Sequence, residues 1–592
     1  MTIEVGEVIA VNGIKITLKI YEESSKDTLF YKGEKYNGVS IREYITIQRG
    51  FRDIICIIEG EYLDEKRFEE NGSKLSFIRK VEAKPIGYFE QGSFYEGIKF
   101  LPMIKDVAYL LKESRLNEIY SKGYSGEKGF TIGKMLKEEI PISLPWKKLF
   151  NSHIGIFGNT GSGKSNTLAK LYTVLFTQKL ERIRNKSQFI ILDFNGEYTS
   201  DQLIDADHKT TLHLNTQVDG SDKFPLSSSE FWNPDTLSIL FQATPNTQRP
   251  FLNRLINGRK RYLEFEDSLK FYIQNMFKSV FSAASPKPET LDLLRAATRI
   301  INNKNLLEIL KNISWHGKQN TFFIPSAGIY FNSDGEAYTS VFENDVQNIE
   351  ISGLTALDEL VLRAHLQLIG DLIHGYGQFD HIQPLIKRIE SSLSSLSKVI
   401  TISNDQENQN IVTVISLRKC NQEMTKILPL LIAMHYYHLH KEVVSSPPNK
   451  TMHLVIDEAH TILSQQSSSE QESWKDYRLE LFEEIIKEGR KFGMFVTLAS
   501  QRPADISPTI VSQVHNFFIH RLVNERDLYL LDNTISTLDH ISRSLIPNLS
   551  TGSCVVTGTS FDLPMVIQVD RLELTKRPDS EDINLETLWS DE

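Results

Sequence analysis

Cysteine is almost absent from this 592-residue chain: Cys56, Cys420 and Cys554 are the three, and they lie far apart. That spacing supplies neither a disulfide framework nor a zinc module, and it points to a reducing compartment. Long apolar runs are missing too. The most apolar helical stretch, Ile427 to Met434, is too short to span a bilayer. The opening residues, MTIEVGEVIAVNG, carry neither a basic segment nor a long apolar one. The expectation is a soluble cytoplasmic protein with no membrane partner. Positive charge is not in excess either. With 66 basic and 76 acidic residues the net charge is −10, which excludes a globally basic nucleic-acid coat. Any polyanion site must be a local patch.

What is present begins at Gly158 to Ser165, GNTGSGKS. An apolar run, Ile154 to Phe157, leads into it, and helix-forming residues from Asn166 to Leu175 follow. Strand, glycine-rich turn and helix form the context a phosphate-binding loop requires. Gly158, Gly161 and Gly163, with Asn159, Thr160 and Ser162 between them, let backbone N–H groups turn inward around phosphate oxygens. The new helix, with Asn166 in its first turn, adds its positive end. Lys164 is placed to reach the β- and γ-phosphates, and the Ser165 hydroxyl to ligate Mg²⁺. ATP and Mg²⁺ are the expected cofactors.

Composition divides the chain into regimes. Up to residue 135, short alternating runs (Val5–Ala10, Ile14–Ile20, Ile54–Glu59, Ile86–Phe89, Gly97–Leu101) are separated by Asn-Gly turns at residues 12, 37 and 71, which predicts a small β-barrel. A helical or mixed connector is expected from Asp106 to Met135. From about residue 140 the pattern becomes strand–helix alternation with nearly continuous apolar strands. These are Ile154–Phe157, Phe189–Leu192, Ile411–Ile415, His453–Ile456, Phe495–Ala499 and Phe517–Ile519. Residues 136–200 and 405–575 are assigned to one α/β core. Residues 201–404 read as a mainly α-helical insertion, with helices at Pro234–Gln242, Arg249–Phe281, Pro288–Ile313, Ala356–Tyr376 and His381–Leu396. Ser-rich runs at 391–397 and 464–469 read as loops or loop edges, and 576–592 as an acidic tail.

Further motifs follow the phosphate loop. Leu454 to Glu458 is an apolar strand ending in two acids. Asp457 is placed to hold Mg²⁺ through its water shell, and Glu458 to polarise an attacking water. The strand Phe495–Ala499 ends at Ser500, Gln501 and Arg502, where Gln501 is positioned to orient water or sense phosphate. Asp193, Glu197 and Tyr198 follow the second strand, at a place suited to a secondary metal, water or interface contact, or to a turn role.

Several segments carry a family resemblance: LDFNGEY (192–198), NTQRPFL (246–252), VIDEAH (455–460), EGRKFG (488–493), ASQRPADISPTIVSQ (499–513) and the stretch ending FFIHRLVNERD (517–527). In this order over roughly residues 140–575 they resemble the HerA branch of the HerA/FtsK-type motor ATPases. The resemblance implies a RecA-like P-loop core with a helical insertion, preceded by a small barrel of the HAS type. It also implies a homo-hexameric ring that threads double-stranded DNA and translocates on ATP hydrolysis. Its partner would be an effector such as a NurA-type nuclease or a sirtuin-like NAD-consuming protein, in end processing or anti-phage defence. One departure is visible: where related motors carry a basic residue before the phosphate-loop strand, this chain has Ser152 and His153.

P-loop hydrolases gain much of their rate from an arginine supplied by a neighbour. Arg490, in the turn between helix and strand, is the foremost candidate for that trans contact, with a surface ion pair as the alternative. Arg521 is a second nucleotide-facing candidate, and Arg502 a third. A basic patch of Arg254, Arg259, Lys260 and Arg261, near Tyr262 and Phe265, is either a DNA-phosphate contact or a solvated helix face. The run His435 to His440 lacks ligand spacing on one helical face and reads as a helix end. A translocating motor and an ATP-gated assembly platform both need these residues. Under either reading the barrel is placed to dock a partner through exposed strand edges.

Overall fold

The computed structural model describes residues 3–24, 28–31, 34–67, 75–120, 129–263, 265, 267–351, 353–403, 410–465, 472–561, 563–579 and 589. The expected barrel is present. Strands Glu4–Asn12, Lys15–Ile20, Tyr44–Arg49, Arg52–Arg67, Leu75–Glu90 and Val107–Leu110 pair antiparallel in a closed circuit, because Lys15–Ile20 bonds both Glu4–Asn12 and Leu75–Glu90. The two-residue period drives closure: Ile16, Leu18 and Ile20 point inward onto Ile45, Ile47 and Ala108. Closure removes most of the edges on which partner docking was expected. Among the described residues, edges remain at Ser93–Glu96 on the outside, at the separate hairpin of Thr28–Tyr31 with Glu34–Asn37, and at an arm in which residues 61–67 pair only with residues 75–81.

Three expectations here are corrected. Gly97–Leu101 is not a strand, whereas Val107–Leu110, expected in the connector, is one, with Ala108 and Leu110 buried in the barrel. The barrel also ends before residue 135. Thr131–Met135 pairs with Met565–Val569 and so belongs to the second sheet. The Asn71-Gly72 turn lies outside the described residues.

That second sheet has 11 strands among the described residues. Seven run parallel in the order Asn516–Ile519, Ile154–Phe157, Met494–Ser500, Thr451–Ile456, Ser187–Asp193, Val412–Lys419 and Lys209–Asn215. Antiparallel Ser553–Gly558, Met565–Val569, Thr131–Met135 and Pro141–Ser143 extend it beyond Asn516–Ile519. Six of the parallel strands read as nearly continuous apolar runs because both faces are covered, and the edge strand Lys209–Asn215 is the exception. The helix Lys164–Ile183 packs on one face through Leu168, Leu171, Tyr172 and Leu175, against Phe189 and Phe518. Barrel residues Ile55, Phe89 and Phe94 join the same cluster, so the barrel sits directly on this face.

The insertion covers the other face. Its axis is the helix Ala356–His374, started by a Thr355–Asp358 capping box and ended by Gly375 in the left-handed conformation. Helices Gln248–Arg261, Ser268–Phe281, Glu289–Ile300 and Phe379–Val399 pack around it. The expected helix Arg249–Phe281 is broken between Arg261 and Ser268, and Pro288–Ile313 between Ile300 and Lys304. Lys209–Asn215 lies in the core sheet, so the insertion starts later than residue 201. The serines at 391–397 are inside a helix, not a loop. Ile386, Ile389, Leu393 and Leu396 keep the helical apolar spacing, and Ser391 and Ser397 donate to carbonyls three residues back.

Candidate nucleotide site

The phosphate loop leaves the C-terminal end of Ile154–Phe157 between two strands whose ends brace it. Gly158 N–H donates to the Ser500 carbonyl at 3.2 Å, and Asn159 N–H to the Arg521 carbonyl at 2.9 Å. Gly161 and Gly163 have φ of 72° and 107°, a region open to glycine at no steric cost. At Gly163 there is a second reason for glycine: a Cβ would lie 2.8 Å from Gly552 Cα. Gly552 N–H donates to the Ser162 carbonyl at 2.8 Å, so the turn before Ser553–Gly558 buttresses the loop. Gly163 caps the helix without a side-chain bond, leaving the first helical N–H groups for an anion.

Lys164 emerges from this loop buried, with Nζ 3.4 Å from Asp457 Oδ1 and 3.1 Å from Glu458 Oε1. Burial disfavours its charge, but the two carboxylates overcome that and hold its pKa above the usual lysine value. Asp457 ends the strand Thr451–Ile456, fully buried, and its Oδ2 has no hydrogen-bond partner. Glu458 has a φ of 49°, a left-handed conformation rare for a residue with a side chain. That local strain folds the chain back so that the carboxylate meets Lys164 rather than continuing away from the sheet. Burial pushes the Glu458 carboxyl up, yet the His460 bond and the Lys164 charge outweigh it and hold it at about 2. His460 Nδ1 lies 3.2 Å from Glu458 Oε2.

Gln501 meets the loop directly: Thr160 Oγ1 donates to Gln501 Oε1 at 2.6 Å. Arg521 has its backbone at the loop and its side chain exposed. Asn166 ties the helix to the C-terminal segment, donating to the Asp570 carbonyl at 3.1 Å and accepting from Leu572 N–H at 3.3 Å. Arg490 is not brought to its own loop. It precedes the N-terminal end of Met494–Ser500, while the loop sits at the C-terminal end. Six residue steps at about 3.3 Å put the two about 20 Å apart. Its Nη1 donates to His515 Nε2 at 3.0 Å.

Ser152 and His153 supply no charge before the strand. Ser152 Oγ donates to the Leu149 carbonyl and accepts from Asn516 Nδ2. His153 accepts the Val496 N–H at Nδ1 and donates from Nε2 to the Ile486 carbonyl, a neutral imidazole that burial pushes down to about 4. In the insertion, Arg254 pairs with Asp371 at 2.6 Å and Arg259 with Glu359 at 3.1 Å. Half of the expected DNA patch is therefore taken internally, leaving Lys260 and Arg261 exposed. His435 lies inside the helix Gln422–Val443 and pairs with Glu230 at 2.6 Å, and no metal-binding cluster occurs among the described residues.

Sequence reasoning gave no role to His460, Gly552 or His520. His520 is buried under the loop, its Nδ1 donating to the Ser553 carbonyl at 2.9 Å. His460 and His520 were signalled only by their place inside the quoted segments, and Gly552 by nothing there, since its contact with Gly163 joins residues distant in the chain.

A phosphate loop at the C-terminal edge of a parallel sheet, its lysine facing an Asp-Glu pair one strand removed, defines a P-loop ATPase. Residues 130–433 match the family described as helicase HerA, central domain, which is more than half of the chain. The chain belongs to the HerA helicase family. A probable helicase of Methanocaldococcus jannaschii is 23% identical over 500 residues, 83% of this chain and 79% of the relative. The DNA double-strand break repair helicase HerA of Sulfurisphaera tokodaii is 22% identical over 525 residues, 86% of this chain and 81% of that protein. Among solved structures, VirB4 of Thermoanaerobacter pseudethanolicus aligns with a TM-score of 0.44 at 12% identity, covering 77% of this chain and 100% of that one. No helix among the described residues is long and apolar enough to cross a membrane.

Proposed function

We propose that this ATPase works as a homo-hexameric ring that moves double-stranded DNA, with each nucleotide completed by the next protomer. The observation that carries this is the separation of Arg490 from its own phosphate loop. Among the described residues no arginine pairs with Asp457 or Glu458, so balancing the charge that develops on the γ-phosphate falls to Arg521 or a neighbour. Arg490, exposed at the far end of the sheet, is available to a neighbour's nucleotide. Ser165 and Asp457 would hold Mg²⁺, which would supply positive charge against the phosphates. The orphaned Asp457 Oδ2, buried beside the lysine, fits that ion's preference for oxygen ligands. Glu458, ionised and aimed by His460, takes the proton of the attacking water, and Gln501 orients that water. The barrel arm and the outer strand Ser93–Glu96 offer edges to an effector of the nuclease or NAD-consuming kind. In the platform alternative the same cycle gates that effector with little movement on DNA.

Mixing tests the shared site. Arg490→Ala protein should bind nucleotide yet lose more than tenfold of its ATPase, a conservative figure for a trans arginine. Adding Lys164→Ala protein should restore activity, since a mixed interface pairs an intact loop with an intact arginine. No recovery at any ratio, with mixed rings shown by native mass spectrometry, removes Arg490 from the site.

A further inference from the structure

Three carboxylates reach the floor of the nucleotide site, and the hydrolysis described above uses two. Glu197 is the third. The residue is 7% exposed, Asn195 Nδ2 donates to its Oε1 at 3.2 Å, and its Oε2 is buried without a hydrogen-bond partner. The Ser165 hydroxyl, Asp457 and Lys164 are the groups that face it. Burial and the Asp457 charge together push its carboxyl up to about 7.

Its neighbour in the motif is committed elsewhere. Both oxygens of Asp193 are filled by the N–H groups of Gly196, Glu197 and Tyr198 at 2.7, 3.0 and 2.9 Å. Gly196, at φ 79°, makes the turn that lets the chain double back over that carboxylate. The loop is held again from outside, where Asp579 N–H donates to the Glu197 carbonyl at 3.0 Å. Asp193 thus builds the turn, and Glu197 is what the turn presents to Ser165.

A buried carboxylate oxygen with no donor is costly and calls for a ligand. Three such oxygens lie at this site: Glu458 Oε2, which faces His460 Nδ1 at 3.2 Å, and Glu197 Oε2 and Asp457 Oδ2, whose carboxylates are grouped with the Ser165 hydroxyl and Lys164. A hard divalent cation that keeps part of its water shell takes this set of oxygens. We infer that Glu197 is a positioning residue for the divalent cation, anchoring that ion's water beside Ser165 in concert with Asp457. The inference rests on the reading that Ser165 and Asp457 hold the ion. A purely structural Glu197 would need only the bonds from Asn195 and Ser165, and a glutamine in its place keeps an oxygen to accept them.

The test uses the full chain and a fluorescent, non-hydrolysable ATP analogue, with binding followed as Mg²⁺ is titrated. Glu197→Gln should raise the half-saturating Mg²⁺ about tenfold, the size typical of losing an outer-shell partner. Binding in EDTA should be unchanged, and Glu197→Asp, which keeps the charge, should shift less than the glutamine variant. A wild-type Mg²⁺ profile for Glu197→Gln, alongside a shifted Asp457→Asn, overturns the inference alone. An aspartate variant more damaged than the glutamine variant overturns it too, because side-chain volume would then be what matters. If Asp457→Asn also leaves the profile unmoved, the reading of the cation site falls with it.

Discussion

Glu458→Gln protein should bind ATP as the wild type does while its turnover falls about a thousandfold, within the range for loss of a general base. The amide keeps the shape and the contact with Lys164, at 3.1 Å in the native chain, but it cannot take a proton from water. The fall corresponds to about 4 kcal/mol of transition-state stabilisation, placed on one oxygen pair. The native carboxyl stands at about 2, so it is ionised throughout the neutral range and the acid form never limits turnover there. Phosphate release at saturating ATP checks the rate, and fluorescent-nucleotide binding checks the ground state. Turnover within about threefold of wild type would remove Glu458 from the chemistry, since that is under 1 kcal/mol.

Lys164→Ala should abolish turnover and weaken ATP binding together. The lysine is buried among acids, with Asp457 at 3.4 Å and Glu458 at 3.1 Å. Without it the γ-phosphate would approach two uncompensated carboxylates, which oppose an anion strongly where water is excluded. Two measurements separate the charge from the packing. Nucleotide affinity should fall by more than tenfold, roughly 1.4 kcal/mol or more, and Lys164→Arg should not rescue, because a planar guanidinium does not replace the compact ammonium held between Asp457 and Glu458. Near-native affinity in the alanine variant would mean that the loop's N–H groups alone hold the nucleotide.

The nucleotide site was legible in the sequence where its parts are local. GNTGSGKS states its own geometry, and the apolar run into Asp457 and Glu458 marks a buried strand end. Seven parallel strands cover both kinds of element, and six of them read as apolar runs; Lys209–Asn215 did not, because it is an edge strand with a polar face. What stayed hidden were contacts between segments far apart in the chain. Gly552 against Gly163 and Asn166 on Asp570 arise only once the antiparallel extension folds beside the loop. Boundaries failed for a related reason. Thr131–Met135 looks like the end of the barrel region, but its partner is the strand Met565–Val569, over 400 residues away. The basic patch was legible only as charge, because spacing does not show partners: Asp371 and Glu359, which pair with Arg254 and Arg259, come from the helix packed across from it.

Displacement of a third strand from duplex DNA is the most direct test of the motor reading. A triplex-forming strand is placed at the end of duplex tracks of increasing length, and its release is timed after ATP is added to the full-length protein. The account predicts ATP-dependent release with a delay that grows in proportion to track length, and none with Glu458→Gln protein. Steady ATP hydrolysis without release, or release with a delay that ignores track length, would contradict it and leave the ring as a platform.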